Sequence, residues 1–145
     1  MTELTRRSFL RGLFTIAAVS VVPATLLQAD LPRIVGDGIH DDTAGLQAAL
    51  DGKPFICEGN VVRGTQSLHI GEGMYRISDT LTVTDNGGPN TVIHDAMFNC
   101  SDMQEGPAFY VDLPKADGRH AFITNCIINT APIGIQLSPA TTVLS

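Results

Sequence analysis

Short runs of alternating apolar and polar residues, separated by Gly, Pro, Asn and Asp, occupy the chain from residue 53 onward. This alternation places successive side chains on opposite faces of a β-strand, and the separating residues favour turns. No segment in this part of the sequence has a sustained helical period. The pattern therefore predicts an all-β fold with strands at Pro54–Cys57, Ser67–Ile70, Met74–Ile77, Thr80–Thr84, Thr91–Phe98, Ala108–Leu113, Ala121–Ile128 and Gly134–Leu137.

The stretch before residue 53 has a different pattern, which predicts a turn followed by one short helix. Gly36 and Gly38 mark a tight turn. Residues 41–43, Asp-Asp-Thr, are N-cap residues, and their acidic groups suit the positive end of a helix. Residues 44–50 then carry two leucines four positions apart, which gives a helix with one apolar face.

Two similar heptapeptides, HDAMFNC at 94–100 and HAFITNC at 120–126, begin 26 positions apart. The same offset aligns residues 108–111 with 134–137, and a turn cluster precedes each segment. A period of this length is typical of solenoids, and strand-forming repeats predict a parallel β-helix, here of about four coils. Because residues one repeat apart stack in such a fold, we expect three stacked pairs: His94 with His120, Asn99 with Asn125, and Cys100 with Cys126.

The repeated His, Asn and Cys also have an alternative interpretation as metal ligands. His94 and Cys100 are six residues apart in an extended segment, about 20 Å, whereas zinc ligands lie about 2.0–2.3 Å from the metal. We therefore expect neither a metal nor a cofactor. Stacked Cys100 and Cys126 would lie about 4.8 Å apart, which permits a disulfide without requiring one.

The opening motif at residues 36–50, GDGIHDDTAGLQAAL, resembles the start of the pectate-lyase-like superfamily, as does the later segment GMYRIS at 73–78. The resemblance covers residues 33–137 and implies a right-handed parallel β-helix whose first coil is capped by the short helix. It implies structural roles for Gly36, Asp37, Gly38, Asp41, Asp42, Thr43 and Gln47. Superfamily members include polysaccharide lyases and hydrolases, bacteriophage tailspikes and exported proteins, so the motif is not specific for an activity.

Residues 1–29 have the order of an export signal, with basic residues followed by the uncharged run 12–29. The residues Arg6, Arg7, Phe9 and Leu10 resemble a twin-arginine signal. We expect a leader helix, cleavage after Ala24 or Ala29, and a periplasmic or extracellular protein. The alternative is an uncleaved membrane anchor or a packed N-terminal helix. Residues 30–145 would then form a truncated β-helix domain.

The charge of the predicted mature region argues against one class of partner. Removal of residues 1–29 takes away three arginines and Glu3 and leaves six basic and 14 acidic residues, a formal charge of −8. Nucleic-acid affinity rests on Lys and Arg neutralising phosphates, so no nucleic-acid partner is expected. The three cysteines cannot form a disulfide framework.

Candidate catalytic residues are few, and the 26-residue offset does not bring them together. The candidates are Asp95, Asp102 and Arg119, but no acidic residue stacks on another at this spacing. Glycoside hydrolysis needs paired acids a few ångströms apart. We therefore expect a non-catalytic module associated with cell-surface or extracellular polysaccharide, and a lyase or hydrolase if the protein is an enzyme.

The first alternative to the non-catalytic module, ahead of the enzyme, is a tailspike-type virion structural protein that forms a homotrimer. The chain stops at the end of a repeat, and an uncovered final coil has an unpaired strand edge. We therefore expect a second copy or another partner to cover the last coil.

Overall fold

The computed structural model of the chain describes residues 30–63, 66–85, 87–115, 118–141 and 143, together with the backbone of 20–23. The signal residues Arg6, Arg7, Phe9 and Leu10 lie outside the described residues, as does the predicted leader helix except at residues 20–23, whose backbone forms a strand. The described elements are β1 (Ser20–Pro23), β2 (Arg33–Ile34), β3 (Asp37–Asp41), α1 (Thr43–Leu50), β4 (Phe55–Cys57), β5 (Asn60–Arg63), β6 (Ser67–Ile70), β7 (Gly73–Arg76), β8 (Leu81–Thr84), β9 (Asn90–His94), β10 (Ala96–Asn99), β11 (Pro107–Asp112), β12 (Ala121–Thr124), β13 (Ile127–Asn129) and β14 (Ile133–Leu137).

The strands coil into a parallel β-solenoid of about four turns. One face carries β3, β7, β10 and β13; the second carries β8, β11 and β14; the third carries β6, β9 and β12. We call the turns that join these faces corners. A fourth sheet, in the order β1-β5-β4-β2, contains the antiparallel pairs β1–β5 and β4–β5. The prediction of an all-β solenoid with one short helix is confirmed for the described residues.

The core fills the space enclosed by the three faces. Tyr75 and Phe98 occupy neighbouring coils of the first face and stack with ring centroids 5.5 Å apart. Phe98 meets Phe109 of the second face edge-on at 4.9 Å. All three rings are fully buried, so aromatic packing joins the first two faces across the interior.

Two of the predicted strands are each divided by a corner. The predicted run 91–98 separates into β9 and β10 at Asp95, whose φ is 55°. The predicted run 121–128 separates into β12 and β13 at Asn125, whose φ is 50°. Asp and Asn adopt this left-handed conformation more readily than most non-glycine residues, which allows a sharp corner inside an apparently continuous strand pattern.

The 26-residue register is correct for one face and wrong for the other two. On the second face Phe109 pairs with Ile135, at the predicted offset. On the other faces the offset is 30: His94 pairs with Thr124, and Asn99 pairs with Asn129. The difference arises in the corner loops, because residues 100–106 join β10 to β11 whereas only 130–132 join β13 to β14.

The predicted stacking of His94 on His120, Asn99 on Asn125 and Cys100 on Cys126 is therefore wrong. The Asn125 side-chain amide instead hydrogen-bonds to the Asp95 carboxylate at the same corner. Cys126 and Cys100 flank opposite ends of the first face, since Met97 pairs with Ile127. Four extended residues separate such positions by about 13 Å, beyond the roughly 7 Å limit for a disulfide. All three cysteines are free.

Helix α1 covers the first strand of the second face. Gln47 accepts a hydrogen bond from the Thr82 backbone N–H at 2.8 Å and donates one to the Thr82 carbonyl at 3.0 Å. Its side-chain amide thereby replaces the peptide group that a preceding strand would supply. A Cβ at Gly45 would collide with the Arg33 carbonyl, so this glycine permits close packing of the helix on the preceding backbone.

Candidate functional site

The opening motif forms a hydrogen-bonded structure around its first turn. Gly36 and Gly38 have φ values of 66° and 76°, which strain other residues. The Asp37 carboxylate accepts hydrogen bonds from the backbone N–H groups of Ile39 and His40, both at 2.9 Å. Burial disfavours the charged form of Asp37, but these bonds and the His40 ring outweigh that effect and lower its pKa to about 2. The Asp37 side chain thus stabilises the turn in which it lies.

Asp41 and Thr43 connect the motif to the next coil. Asp41 accepts hydrogen bonds from the Thr43 backbone at 3.0 Å and from the Ser78 hydroxyl at 2.5 Å. The Thr43 hydroxyl oxygen accepts the Ser78 N–H at 2.8 Å. Burial raises the pKa of Asp41, but the hydrogen bonds prevail and its pKa is lowered. These side chains join β3, α1 and the segment after β7.

Asp42 is fully buried and does not cap α1 through its side chain, which corrects that part of the sequence prediction. Its carboxylate instead accepts the N–H groups of Val35 at 2.6 Å and Gly36 at 3.1 Å. Burial raises the pKa of Asp42 to about 6, and the nearby negative charges of Asp37 and Asp41 add to the shift.

The three candidate catalytic residues lie at three different corners of the solenoid. Asp95 is between β9 and β10, Asp102 between β10 and β11, and Arg119 between β11 and β12. Asp102 forms an ion pair with Arg76 at 2.5 Å. Asp95 contacts the His94 ring at 3.0 Å in addition to its bond from Asn125. The structure does not bring these candidates into one site.

Arg119 is almost fully buried and links three coils. Its guanidinium donates to the carbonyls of Leu50 and Pro89, both at 2.6 Å, and to the Thr84 carbonyl at 3.0 Å. It also donates to the Thr91 hydroxyl at 3.1 Å. Since Leu50 is the last residue of α1, the positive charge lies at the negative end of the helix. Arg119 therefore has a structural role, since its hydrogen bonds connect the end of α1 and the corner after β8 to its own coil.

Burial lowers the pKa of Arg119, and the carboxylates of Asp51 and Asp85 oppose that shift. A guanidinium stays protonated in proteins, so these carboxylates partly balance a buried charge. A Cβ at Gly88 would lie 2.5 Å from the guanidinium and would also collide with the Leu50 carbonyl. The glycine-rich corner after β8 thus leaves room for Arg119.

Arg119 forms part of a solvent-open groove of about 480 Å³ at the corner between the second and third faces. Described corner residues from successive coils line it: Asp85 and residues 87–90 after β8, Lys115, Gly118 and Arg119 after β11, and Gln66 before β6. The volume lies within the range of about 300–1,000 Å³ for small-molecule sites. The polar groups of the groove are those of Gln66, Asp85, Asn90, Lys115 and Arg119.

These side chains supply both hydrogen-bond donors and acceptors. Lys115 is exposed and donates only, whereas the exposed side-chain amides of Gln66 and Asn90 can donate and accept. Asp85 accepts the Arg119 backbone N–H at 3.3 Å through one oxygen. Its other oxygen is buried and has no hydrogen-bond partner among the described residues. The groove therefore presents donors and acceptors to solvent, although the Asn90 side-chain oxygen already accepts the His120 N–H at 2.9 Å.

Sequence reasoning found Arg119 but missed the rest of this groove. A signal was present in the two glycine-containing turns, Asp85–Asn90 and Lys115–Gly118, which lie about one coil apart. The fixed 26-residue alignment did not compare these turns, because the spacing between coils varies with the length of the corner loops.

Among the described residues, no group of three or more His, Cys, Asp or Glu side chains is arranged to hold a metal ion. Within the same residues, no helix has the length and apolarity needed to span a membrane. Searches against protein-family models, curated proteins and solved structures gave no match for this chain.

Proposed function

We propose that the protein is an exported, non-catalytic β-helix module that binds polysaccharide in the corner groove. The observation that carries this proposal is the stacking of polar loops from successive coils into one open groove. A polysaccharide presents many hydroxyl groups that both donate and accept hydrogen bonds. The Gln66 and Asn90 amides and the Lys115 ammonium group match that chemistry without requiring a metal or cofactor.

The separation of the acidic candidates supports a binding role over a hydrolytic one. Retaining and inverting glycosidases place two carboxyl groups about 5–9.5 Å apart across the scissile bond. Asp95 and Asp102 lie at opposite ends of β10, and each already bonds a neighbouring side chain. In the groove itself, Asp85 is the one acidic side chain among the described lining residues.

Export and family membership form a second part of the proposal. The twin-arginine-like leader supports a periplasmic or extracellular location. The opening motif and the parallel solenoid support membership of the pectate-lyase-like superfamily with a right-handed coil. The structural contacts of Asp37, Asp42 and Gln47 are consistent with a motif that specifies the fold and not an activity.

Binding is tested by isothermal titration of the full chain with a panel of neutral and acidic polysaccharides. A Gln66→Ala/Lys115→Ala variant removes two exposed groove side chains and should weaken binding by about tenfold or more, the equivalent of roughly 1.4 kcal/mol. The matched control is Gln136→Ala/Lys53→Ala, which removes the same residue types outside the groove and should bind like the parent.

Two results would contradict the proposal. Equal affinity of the groove variant and the control would exclude the groove as the binding site. Release of unsaturated or reducing ends from any polysaccharide by the parent chain would show lyase or hydrolase activity and overturn the non-catalytic assignment.

A further inference from the structure

The predicted leader contributes a strand to the folded domain. Strand β1 lies antiparallel along β5 in the register Ser20↔Arg63, Val21↔Val62, Val22↔Val61 and Pro23↔Asn60. Residues 20–23 precede both predicted cleavage positions, Ala24 and Ala29. A segment that the sequence pattern assigns to a removable signal therefore occupies the outer edge of the β5–β4–β2 sheet.

The neighbouring strands show which face of this sheet meets the core. Phe55, Cys57 and Val62 belong to the core cluster of the solenoid. Ile56 and Val61 pair directly with each other, alternate with those residues along their strands, and lie outside the core cluster. Because side chains alternate between faces, Ile56 and Val61 lie on the face that points away from the core.

That outer face is nevertheless buried, since Ile56 and Val61 are each only 2% exposed. A surface sheet normally has one solvated face with polar residues, whereas a sheet covered on both faces has continuous apolar strands. The sequences Phe-Ile-Cys in β4 and Val-Val in β5 follow the second pattern. Strand β1, which pairs with the edge of this sheet, lies within the uncharged, largely apolar run of residues 12–29.

We propose that the leader is a docked part of the folded domain and that the β5 edge is its binding site. The occupant of this site is the segment Ser20–Pro23, held by main-chain pairing to Asn60–Arg63. A cut after Ala24 or Ala29 then leaves the leader attached non-covalently instead of releasing it. This inference does not rest on the proposed polysaccharide groove.

The first test measures backbone amide exchange in the full chain. A Val21→Pro/Val22→Pro variant lacks two N–H groups, one of which must point toward β5 because neighbouring strand residues alternate. Exchange at residues 60–63 should accelerate at least tenfold, while exchange in β11 stays unchanged. The matched control, Val21→Thr/Val22→Thr, keeps both N–H groups and should protect residues 60–63 like the parent.

The second test replaces residues 24–29 of the full chain with a site-specific protease sequence and cuts the folded protein. The released N-terminal fragment should co-elute with the domain in size-exclusion chromatography. Elution of the fragment on its own, or equal exchange at 60–63 in the parent, proline and threonine proteins, would overturn the proposal. If the proline variant also loses protection in β11, it has failed to fold, and the cut protein decides the outcome.

Discussion

The two ends of the solenoid differ in what covers their outermost strands. At the first end, helix α1 lies over β8, and the Gln47 amide satisfies the Thr82 backbone as a neighbouring strand would. In the last coil, β12, β13 and β14 are each the outermost strand of their sheet. The sequence pattern shows whether a residue points inward, but it does not show whether a neighbouring coil buries that residue.

One column of inward-facing residues on the second face shows this difference directly. Leu81, Phe109 and Ile135 are in register on three successive coils, with exposures of 1%, 0% and 44%. All three are large and apolar, and all three point toward the same core. Burial of apolar surface stabilises the fold by about 25 cal/mol per Å². A large apolar side chain in this column therefore contributes much less to stability in the last coil.

The largest expected loss of stability is at Arg119, whose hydrogen bonds connect the first end of the solenoid to the third coil. Arg119→Ala leaves the carbonyls of Leu50, Thr84 and Pro89 without their donor and should lower the free energy of unfolding by about 3–5 kcal/mol. Arg119→Lys keeps the charge but cannot reproduce the planar array of donors, so it should be intermediate. Urea denaturation measures both. A loss below about 1 kcal/mol for the alanine variant would contradict the structural role of this residue.

Shortening a side chain at each end of the column formed by Leu81, Phe109 and Ile135 tests whether burial differs between the two ends of the solenoid. Leu81→Ala should cost about 2–5 kcal/mol, because it creates a cavity in a fully packed region. Ile135→Ala should cost about 1 kcal/mol or less, since nearly half of that side chain is already exposed. Thermal or urea unfolding of the two variants provides the measurement. Equal losses would show that Ile135 is buried in solution and would remove the contrast between the two ends.

The buried carboxylate at the first end predicts a specific pH dependence. The folded-state pKa of Asp42 is about 6, above its ordinary value of 3.8, so the folded chain binds this proton more tightly than the unfolded chain does. Its contribution to stability is fully present below pH 3.8 and is lost as pH rises through 6. The loss is on the order of 3 kcal/mol for a shift of about two units.

Unfolding measured from pH 4 to pH 7 in the parent and in Asp42→Asn isolates this contribution. The stability of the asparagine variant should not decline over this pH range as that of the parent does, because the asparagine side chain does not titrate. Asp37 has the opposite sign, since its pKa is lowered to about 2 and its stabilisation is lost as pH falls below 3.8. Parallel pH profiles for the parent and the asparagine variant would show that Asp42 does not titrate in this window.

The smallest expected effect compares Gln47, which bonds the first strand of the second face, with Gln136 in the last strand of that face. Gln47→Ala removes both hydrogen bonds to Thr82 and should cost about 2 kcal/mol, because it leaves a partly buried backbone pair unsatisfied. Gln136 pairs by register with Tyr110 in the last coil and is exposed, so Gln136→Ala should change stability by less than about 0.5 kcal/mol. Equal effects in urea titrations would exclude the strand-like role of Gln47.

Much of the fold was predictable because strand periodicity and turn residues are local signals. The helix begins one residue earlier than predicted, at Thr43, and the segments Ser67–Ile70 and Ala108–Leu113 coincide closely with β6 and β11. Strands β1, β2, β3 and β5 were missed. Strand β3 contains the Gly38 turn, and β5 places two adjacent valines on opposite faces that are both buried, so neither has the expected alternation.

The candidate site was less predictable because its members are far apart in sequence. Gln66, Asp85 and Lys115 meet through the stacking of three coils, and no local pattern distinguishes them from ordinary polar turn residues. The sequence made Arg119 a candidate catalytic residue, whereas its hydrogen bonds in the structure give it a structural role. The local sequence around an arginine does not reveal which carbonyls surround it after folding.

The sequence by itself determined most of the segments that form strands, where the short helix lies, and that the strands repeat as a solenoid. These properties depend on side-chain alternation and turn chemistry within a few residues. Tertiary structure alone decided the register, as shown by Asn125 lying beside Asp95 and not beside Asn99. The corner loops differ in length, so the second face has an offset of 26 between the last two coils, whereas the other two faces have an offset of 30. Coil-to-coil packing therefore sets which distant side chains meet, which strands are covered, and where the groove forms.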